Sequence, residues 1–115
     1  MKNPGMGVAY NLTCSRAVPE FIKKWNGIPI RTPVGFVNVR KGIMENNGIM
    51  GGEPTGHYSF RDNFYFDSGF IALLILLQTI SSYEKKVSKI IGELCPYINE
   101  PEINFKIDDK QSVLE

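Results

Sequence analysis

Glu53, Thr55 and His57 lie within five residues of one another, in the segment Gly51-Gly52-Glu53-Pro54-Thr55-Gly56-His57. A carboxylate accepts hydrogen bonds, a hydroxyl donates or accepts, and an imidazole does either according to its tautomer. Together they suit a polyol, whose neighbouring hydroxyls need acceptors and donors at once. His57 is the only histidine of the chain. It can also carry protons, since an unperturbed imidazole titrates near pH ~6.5. The glycines allow a tight turn and a close backbone approach to a ligand. A plain hairpin turn with incidental polar residues would use the same residue types, because Gly and Pro punctuate ordinary turns too.

The flanking elements must position this segment. Val8-Ala9-Tyr10-Asn11-Leu12 is a short apolar stretch and predicts an inner strand. Ser15 is a candidate N-cap, and Val18, Phe21, Ile22 and Trp25 then mark one face of a helix that Gly27 ends. Ile28-Pro29-Ile30-Arg31-Thr32 reads as a second strand, with Pro29 indicating a strand start or edge. Phe36, Val39 and Ile43 give a second helical stripe, closed by Asn46-Asn47-Gly48. Ile49-Met50 enters the glycine-rich segment and Tyr58-Ser59-Phe60 leaves it, which predicts two strands around a turn. Asp67-Ser68-Gly69 opens a helix over residues 70–80 that is apolar on nearly every side, a pattern expected of a buried helix. Val87, Ile90, Ile91 and Leu94 form a last stripe, stopped by Pro96. Strands alternating with helices predict an α/β fold: a small mixed sheet, parallel in part, with helices packed on it and an antiparallel hairpin at the glycine segment.

The 115 residues fit one domain, and 43% hydrophobic content is enough for a packed core. A net charge of +1 gives no broad basic field, so no nucleic-acid partner is expected. The apolar run at residues 70–77 is shorter than the ~20 residues that span a bilayer, so no membrane partner is expected either. The N-terminus has no apolar signal core, and a cytoplasmic location is expected. Cys14 and Cys95 lack metal-ligand spacing and are read as buried reduced thiols; no metal-binding residues are assigned. At the end, Glu102-Ile103-Asn104-Phe105-Lys106-Ile107 alternates like a half-buried strand, and residues 108–115 look like a helix beginning. Such a piece cannot bury a core of its own. The expected division is a domain over residues 1–98, then a linker and the cut start of a following domain over residues 99–115.

Residues 8–94 resemble the third domain of the α-D-phosphohexomutases, in particular bacterial phosphomannomutase/phosphoglucomutase. Tyr10-Asn11-Leu12-Thr13-Cys14-Ser15-Arg16 is similar to the family's strand-to-helix junction. Gly27-Ile28-Pro29-Ile30-Arg31-Thr32-Pro33-Val34-Gly35 is similar to its second strand and turn. Gly52-Glu53-Pro54-Thr55-Gly56-His57 is similar to its sugar-recognition loop, Gly-Glu-x-Ser-Gly-His. Tyr58-Ser59-Phe60-Arg61-Asp62 and Asp67-Ser68-Gly69 follow in the same order.

The resemblance implies one domain of a multi-domain enzyme that moves a phosphoryl group between the anomeric and primary hydroxyls of a hexose. A phosphoserine and a magnesium ion on other domains support transfer through a hexose bisphosphate intermediate. This chain would supply neither, and no cofactor is assigned to it. The implied partners are the phosphohexose and the enzyme's other domains. The implied substrate contacts are Gly52, Glu53, Thr55, Gly56 and His57, with His57 a candidate acid/base or phosphate contact. Thr13 stands where the family usually carries Lys or Arg, Phe36 where it usually has His, and Arg40 in place of a common Lys. Arg16, Arg31 and Arg40 are candidate replacements for the lost charge. A phosphoglucosamine mutase domain and a non-catalytic sugar-phosphate-binding or interaction module are the alternative readings.

Overall fold

The computed structural model describes residues 3–98, 100, 103–107 and 111. Its centre is one four-stranded sheet, built from β1 (Gly7–Asn11), β2 (Ile28–Thr32), β3 (Gly48–Gly52) and β4 (Tyr58–Phe60). The spatial order is β2-β1-β3-β4. β1 runs parallel to β2 and β3, and β4 returns antiparallel to β3. The expected mixed sheet and hairpin are therefore present. β2 is an edge strand, so Pro29 sits where a missing N–H costs least. The β1–β3 register pairs Tyr10 with Gly52, which brings the strand ends at Asn11 and Glu53 side by side.

Alternation in β1 buries Gly7, Ala9 and Asn11 on one face and leaves Val8 and Tyr10 half-buried on the other. Helix α2 (Phe36–Glu45) lies on the buried face. Its Val39 and Ile43 form the core with Ala9, with Ile30 and Tyr65 packed against them. The layers are close because glycine lines the contact. A Cβ on Gly51 would stand 2.6 Å from Val39 Cγ1 and 2.8 Å from Ala9 Cβ, and one on Gly42 would stand 2.6 Å from Thr32 Cγ2. Gly51 thus serves helix–sheet packing, not a ligand.

Helix α1 (Ala17–Lys24) has Arg16 and not Ser15 at its N-cap, with no side-chain cap bond from that residue; Ser15, one residue earlier, still accepts from the Ala17 N–H through its Oγ at 3.2 Å. Ala17 and Ile22 are buried, but Trp25 lies beyond the last turn, exposed beside Phe21. Asn26, with φ 59°, turns the chain out of the helix, one residue earlier than the expected stop at Gly27.

Helix α3 (Gly69–Ser81) is capped by Ser68, whose Oγ accepts from the Ile71 N–H at 3.3 Å. The expectation that it is buried fails. None of its residues is buried, with Phe70 84% and Leu74 66% exposed. Apolar composition states a preference for burial; it does not supply the partner layer. The buried sheet face is taken by α2, and no element packs extensively along α3 among the described residues. No described helix is long and apolar enough to cross a membrane.

Helix α4 (Val87–Leu94) buries Ile90 and leaves Val87 and Ile91 exposed. Just beyond it, the Tyr97 hydroxyl donates to both carboxylate oxygens of Glu20 at 2.7 and 2.9 Å, tying this end of the chain to α1. Cys14 is partly buried as a free thiol; Cys95 is free and exposed, against the expectation of burial, because it follows the last turn of α4. Residues 103–107 carry no strand, against their period-two pattern, since no sheet edge is paired with them. The expected helix start at residues 108–115 lies outside the described residues except for Gln111.

Candidate functional site

The glycine-rich segment folds into a short hairpin loop between β3 and β4. The Glu53 N–H donates to the His57 carbonyl at 3.0 Å, and the Gly56 N–H donates to the Glu53 carbonyl at 3.1 Å. Pro54 takes the first turn position, where its fixed φ fits. Gly56 follows with φ 91°, the one place in the loop where glycine's freedom is required. Gly52 belongs to β3, with the Tyr58 ring over it.

Glu53 does not project from this turn. It is 6% exposed and points back under the sheet end. Its Oε1 accepts from Asn11 Nδ2 at 2.7 Å and from the Gly35 N–H, at the start of α2, at 2.9 Å. A carboxylate at a helix N-terminus is favourably placed against the helix dipole. Asn11, 1% exposed, is held in turn. Its Oδ1 accepts from the Thr13 N–H at 3.1 Å, the Thr13 hydroxyl at 2.8 Å and the Cys14 thiol at 3.4 Å. Glu53 Oε2 has no hydrogen-bond partner among the described residues and is not sealed from solvent. One oxygen is anchored and the other is free to accept. Burial pushes the Cys14 thiol above its ordinary range; the bond to Asn11 opposes this and the charge of Glu53 adds to it.

His57 is held on the other side of the hairpin. Its Nδ1 lies 2.6 Å from Asp67 Oδ2, and Asp67 Oδ1 accepts from the Tyr58 N–H at 2.8 Å. The Phe36 ring lies beside the imidazole, centroids 6.0 Å apart. The bond to Asp67 raises the affinity of His57 for its proton; slight burial opposes this, and the charges of Asp67 and Glu53 add to it. The bond to His57 in turn holds the Asp67 carboxyl below the usual carboxylate range.

A cleft of about 1020 Å³ opens on the half-buried face of the sheet. Thr13, Arg16, Gly52, Glu53, Thr55 and Tyr58 are in its wall. So Gly52, Glu53 and Thr55 share one cavity, while His57 stands outside its wall and Gly56 forms the turn tip. Thr13 is engaged with Asn11, and Phe36 with the His57 ring. Of the three candidate replacement cations, Arg16 alone lines the cleft. Arg31 is exposed on the edge strand, and Arg40 lies over the Phe66 ring at 4.4 Å with Nε buried and unbonded. Sequence reasoning assigned no role to Asn11, Gly35 or Asp67. A polar residue closing an apolar strand was the available signal for Asn11; the other two depend on contacts distant in sequence. No group of three or more His, Cys, Asp or Glu among the described residues can hold a metal ion. The residues present do not fit the implied magnesium, and no step is assigned through it.

The chain matches the family model for phosphoglucomutase/phosphomannomutase, alpha/beta/alpha domain III, over residues 1–97. It is 33% identical over 108 residues to a phosphomannomutase of Methanocaldococcus jannaschii, covering 94% of this chain and 24% of that protein. It is 26% identical over 117 residues to the phosphomannomutase/phosphoglucomutase of Pseudomonas aeruginosa, covering 99% and 25%. A phosphoglucosamine mutase of Methanococcus maripaludis is 29% identical over 109 residues, covering 94% and 24%. Among solved structures, a phosphoglucomutase/phosphomannomutase family protein from Burkholderia thailandensis superposes with a TM-score of 0.71 at 25% identity, over 79% of this chain and 20% of that one. The chain spans about a quarter of the length of the curated relatives it matches.

Proposed function

We propose, since this chain belongs to the phosphoglucomutase/phosphomannomutase family as its domain III, that it is the sugar-recognition part of a phosphohexomutase. In this reading the chain holds the hydroxyls of a hexose phosphate while other domains carry the phosphoryl group between the 1- and 6-positions. The named relatives act on mannose, glucose and glucosamine phosphates, so a hexose phosphate is the substrate class. A cytoplasmic enzyme using magnesium held by its other domains is part of the same proposal.

The observation that carries the reading is Glu53. Its Oε1 is fixed by Asn11 and Gly35, its Oε2 has no hydrogen-bond partner among the described residues, and Glu53 lines a cleft together with Thr55. A preorganised acceptor beside a hydroxyl suits a sugar that must bind in two orientations, because it uses few contacts that both orientations share. Little affinity is needed from this domain. A few hydrogen bonds of about 0.5–1.5 kcal/mol each, offset by the entropy of association, give millimolar dissociation or weaker.

The test is Glu53→Gln in the complete protein that carries this domain. The amide oxygen can keep both inward bonds, so the fold is retained. The outward acceptor becomes a donor, and kcat/KM should fall about 10–100-fold, the value of a charged hydrogen bond. Thr55→Ser keeps the hydroxyl and should change little. Unchanged kcat/KM for Glu53→Gln would sink the reading.

The alternative, a binding module without turnover, draws on Thr13 and Phe36. Where the family carries basic or imidazole side chains, these two serve internal contacts. Activity of the complete protein on mannose 1-phosphate separates the two readings.

A further inference from the structure

Helix α3 carries an apolar surface that the fold does not use. Its 13 residues include no Asp, Glu, Lys, Arg or His. Phe70, Leu73, Leu74 and Leu77 fall at i, i+3, i+4 and i+7 and so form one stripe along the helix, and each is exposed by half or more. Ile71 and Ala72, which are only partly exposed, lie off this stripe. The molecule measures 51 × 32 × 26 Å, with a radius of gyration of 15.8 Å. A compact chain of this length would have about 13 Å. The excess fits a helix that stands clear of the body, with room for a second helix at the usual spacing of about 8–10 Å. A contiguous apolar patch of this kind marks an interaction surface.

We propose that the stripe of Phe70, Leu73, Leu74 and Leu77 is a self-association face, on which α3 of a second copy of this chain packs antiparallel about a two-fold axis. The absence of charge selects this occupant. A partner recognised by its charge finds nothing on α3 to pair with, whereas two copies of α3 meet with no like-charge repulsion. The antiparallel arrangement sets opposite dipole ends side by side, and a two-fold contact closes at the dimer. The four side chains and their rim offer on the order of 500 Å² per copy, about 1,000 Å² for the pair, which is near the lower limit for a specific interface. The pair is therefore weak and forms only at high concentration. Helix α3 contributes no residue to the wall of the cleft that holds Glu53, so the inference is independent of the sugar-recognition reading.

Sedimentation velocity of the 115-residue chain, from about 10 μM to about 1 mM, tests it across the range expected of a small interface. The wild type should pass from monomer to dimer and stop there. Leu74→Glu puts two carboxylates into the two-fold contact and should weaken dimerisation at least about 10-fold, and Leu77→Glu should do the same. Both positions are exposed in the single copy, so both variants should keep the wild-type far-ultraviolet circular dichroism and low-micromolar melting curve. Thr79→Glu places the same charge on the opposite side of α3 and should dimerise like the wild type. A wild type that stays monomeric up to 1 mM would overturn the proposal, and a loss of stability in Leu74→Glu at low micromolar concentration would then show α3 covered within its own chain. A dimer that persists undiminished in both Leu74→Glu and Leu77→Glu would place the contact elsewhere and overturn it too. So would growth past the dimer without a plateau, or equal weakening by Thr79→Glu, since either means unspecific adhesion.

Discussion

Asn11 and Glu53 meet at 2.7 Å, amide to carboxylate, at the ends of two neighbouring parallel strands. The bond joins residues 42 apart in sequence and is buried. It converts an acid in a turn into an acceptor with one fixed oxygen.

Asn11→Ala should therefore reduce stability by about 1.5–3 kcal/mol, the range for a hydrogen bond to a charged group. Urea melts of the chain measure it. Asn11→Asp sharpens the test, because two carboxylates would then face each other. Repulsion raises their native-state pKa, so the penalty is absent below about pH 4 and grows as pH rises. Equal stability of Asn11→Asp at pH 3 and pH 7 would contradict the contact.

The His57–Asp67 pair gives a pH signature of its own. His57 is raised from 6.5, so its contribution is full below that value and is lost as pH rises through the raised pKa. Asp67 is lowered from 3.8, so its contribution is present above that value and is lost as pH falls through the lowered pKa. The pair thus stabilises most between these two ordinary values. The Tm difference between wild type and Asp67→Asn should peak in that window and shrink on either side. A difference that does not vary with pH would contradict the pairing.

Leu74 tests the exposure of α3. It is 66% exposed, so Leu74→Ala should change stability by no more than about 0.5 kcal/mol. A buried leucine would cost about 2–5 kcal/mol. A loss of that size in urea melts would mean that α3 is covered in solution.

Much of this was legible in the sequence. Short apolar stretches bounded by turn residues located the four described strands, i, i+3, i+4 stripes located α1, α2 and α4, and the Asp67-Ser68-Gly69 start located α3, because each of these signals is local. The period-two pattern, read only at the end of the chain, gave no strand over residues 103–107. Gly-Glu-x-Thr-Gly-His marked the loop, since turn chemistry and ligand groups sit together there. The layer that each helix joins was not legible. Residues 70–80 read as buried because composition carries no record of whether a partner surface exists. Nor did the sequence show that Glu53 turns inward while His57 faces another side. Both orientations depend on Asn11, Gly35 and Asp67, which the chain brings close only after folding. Gly51 was read among the glycines that allow a tight turn and a close approach to a ligand, and its packing role emerges only once Val39 lies against it.

That close contact has a consequence for the site. Gly35, whose N–H reaches Glu53, is carried by α2, and α2 rests on the sheet across Gly51 and Gly42. The bare backbone acts as a spacer of fixed thickness between the two layers. A methyl group added there must lift the helix or tilt it, and the Gly35 N–H would move with it. The reach of a 2.9 Å bond is thereby set by what is missing from the core. The aim of the carboxylate is adjustable from a position that no ligand ever touches.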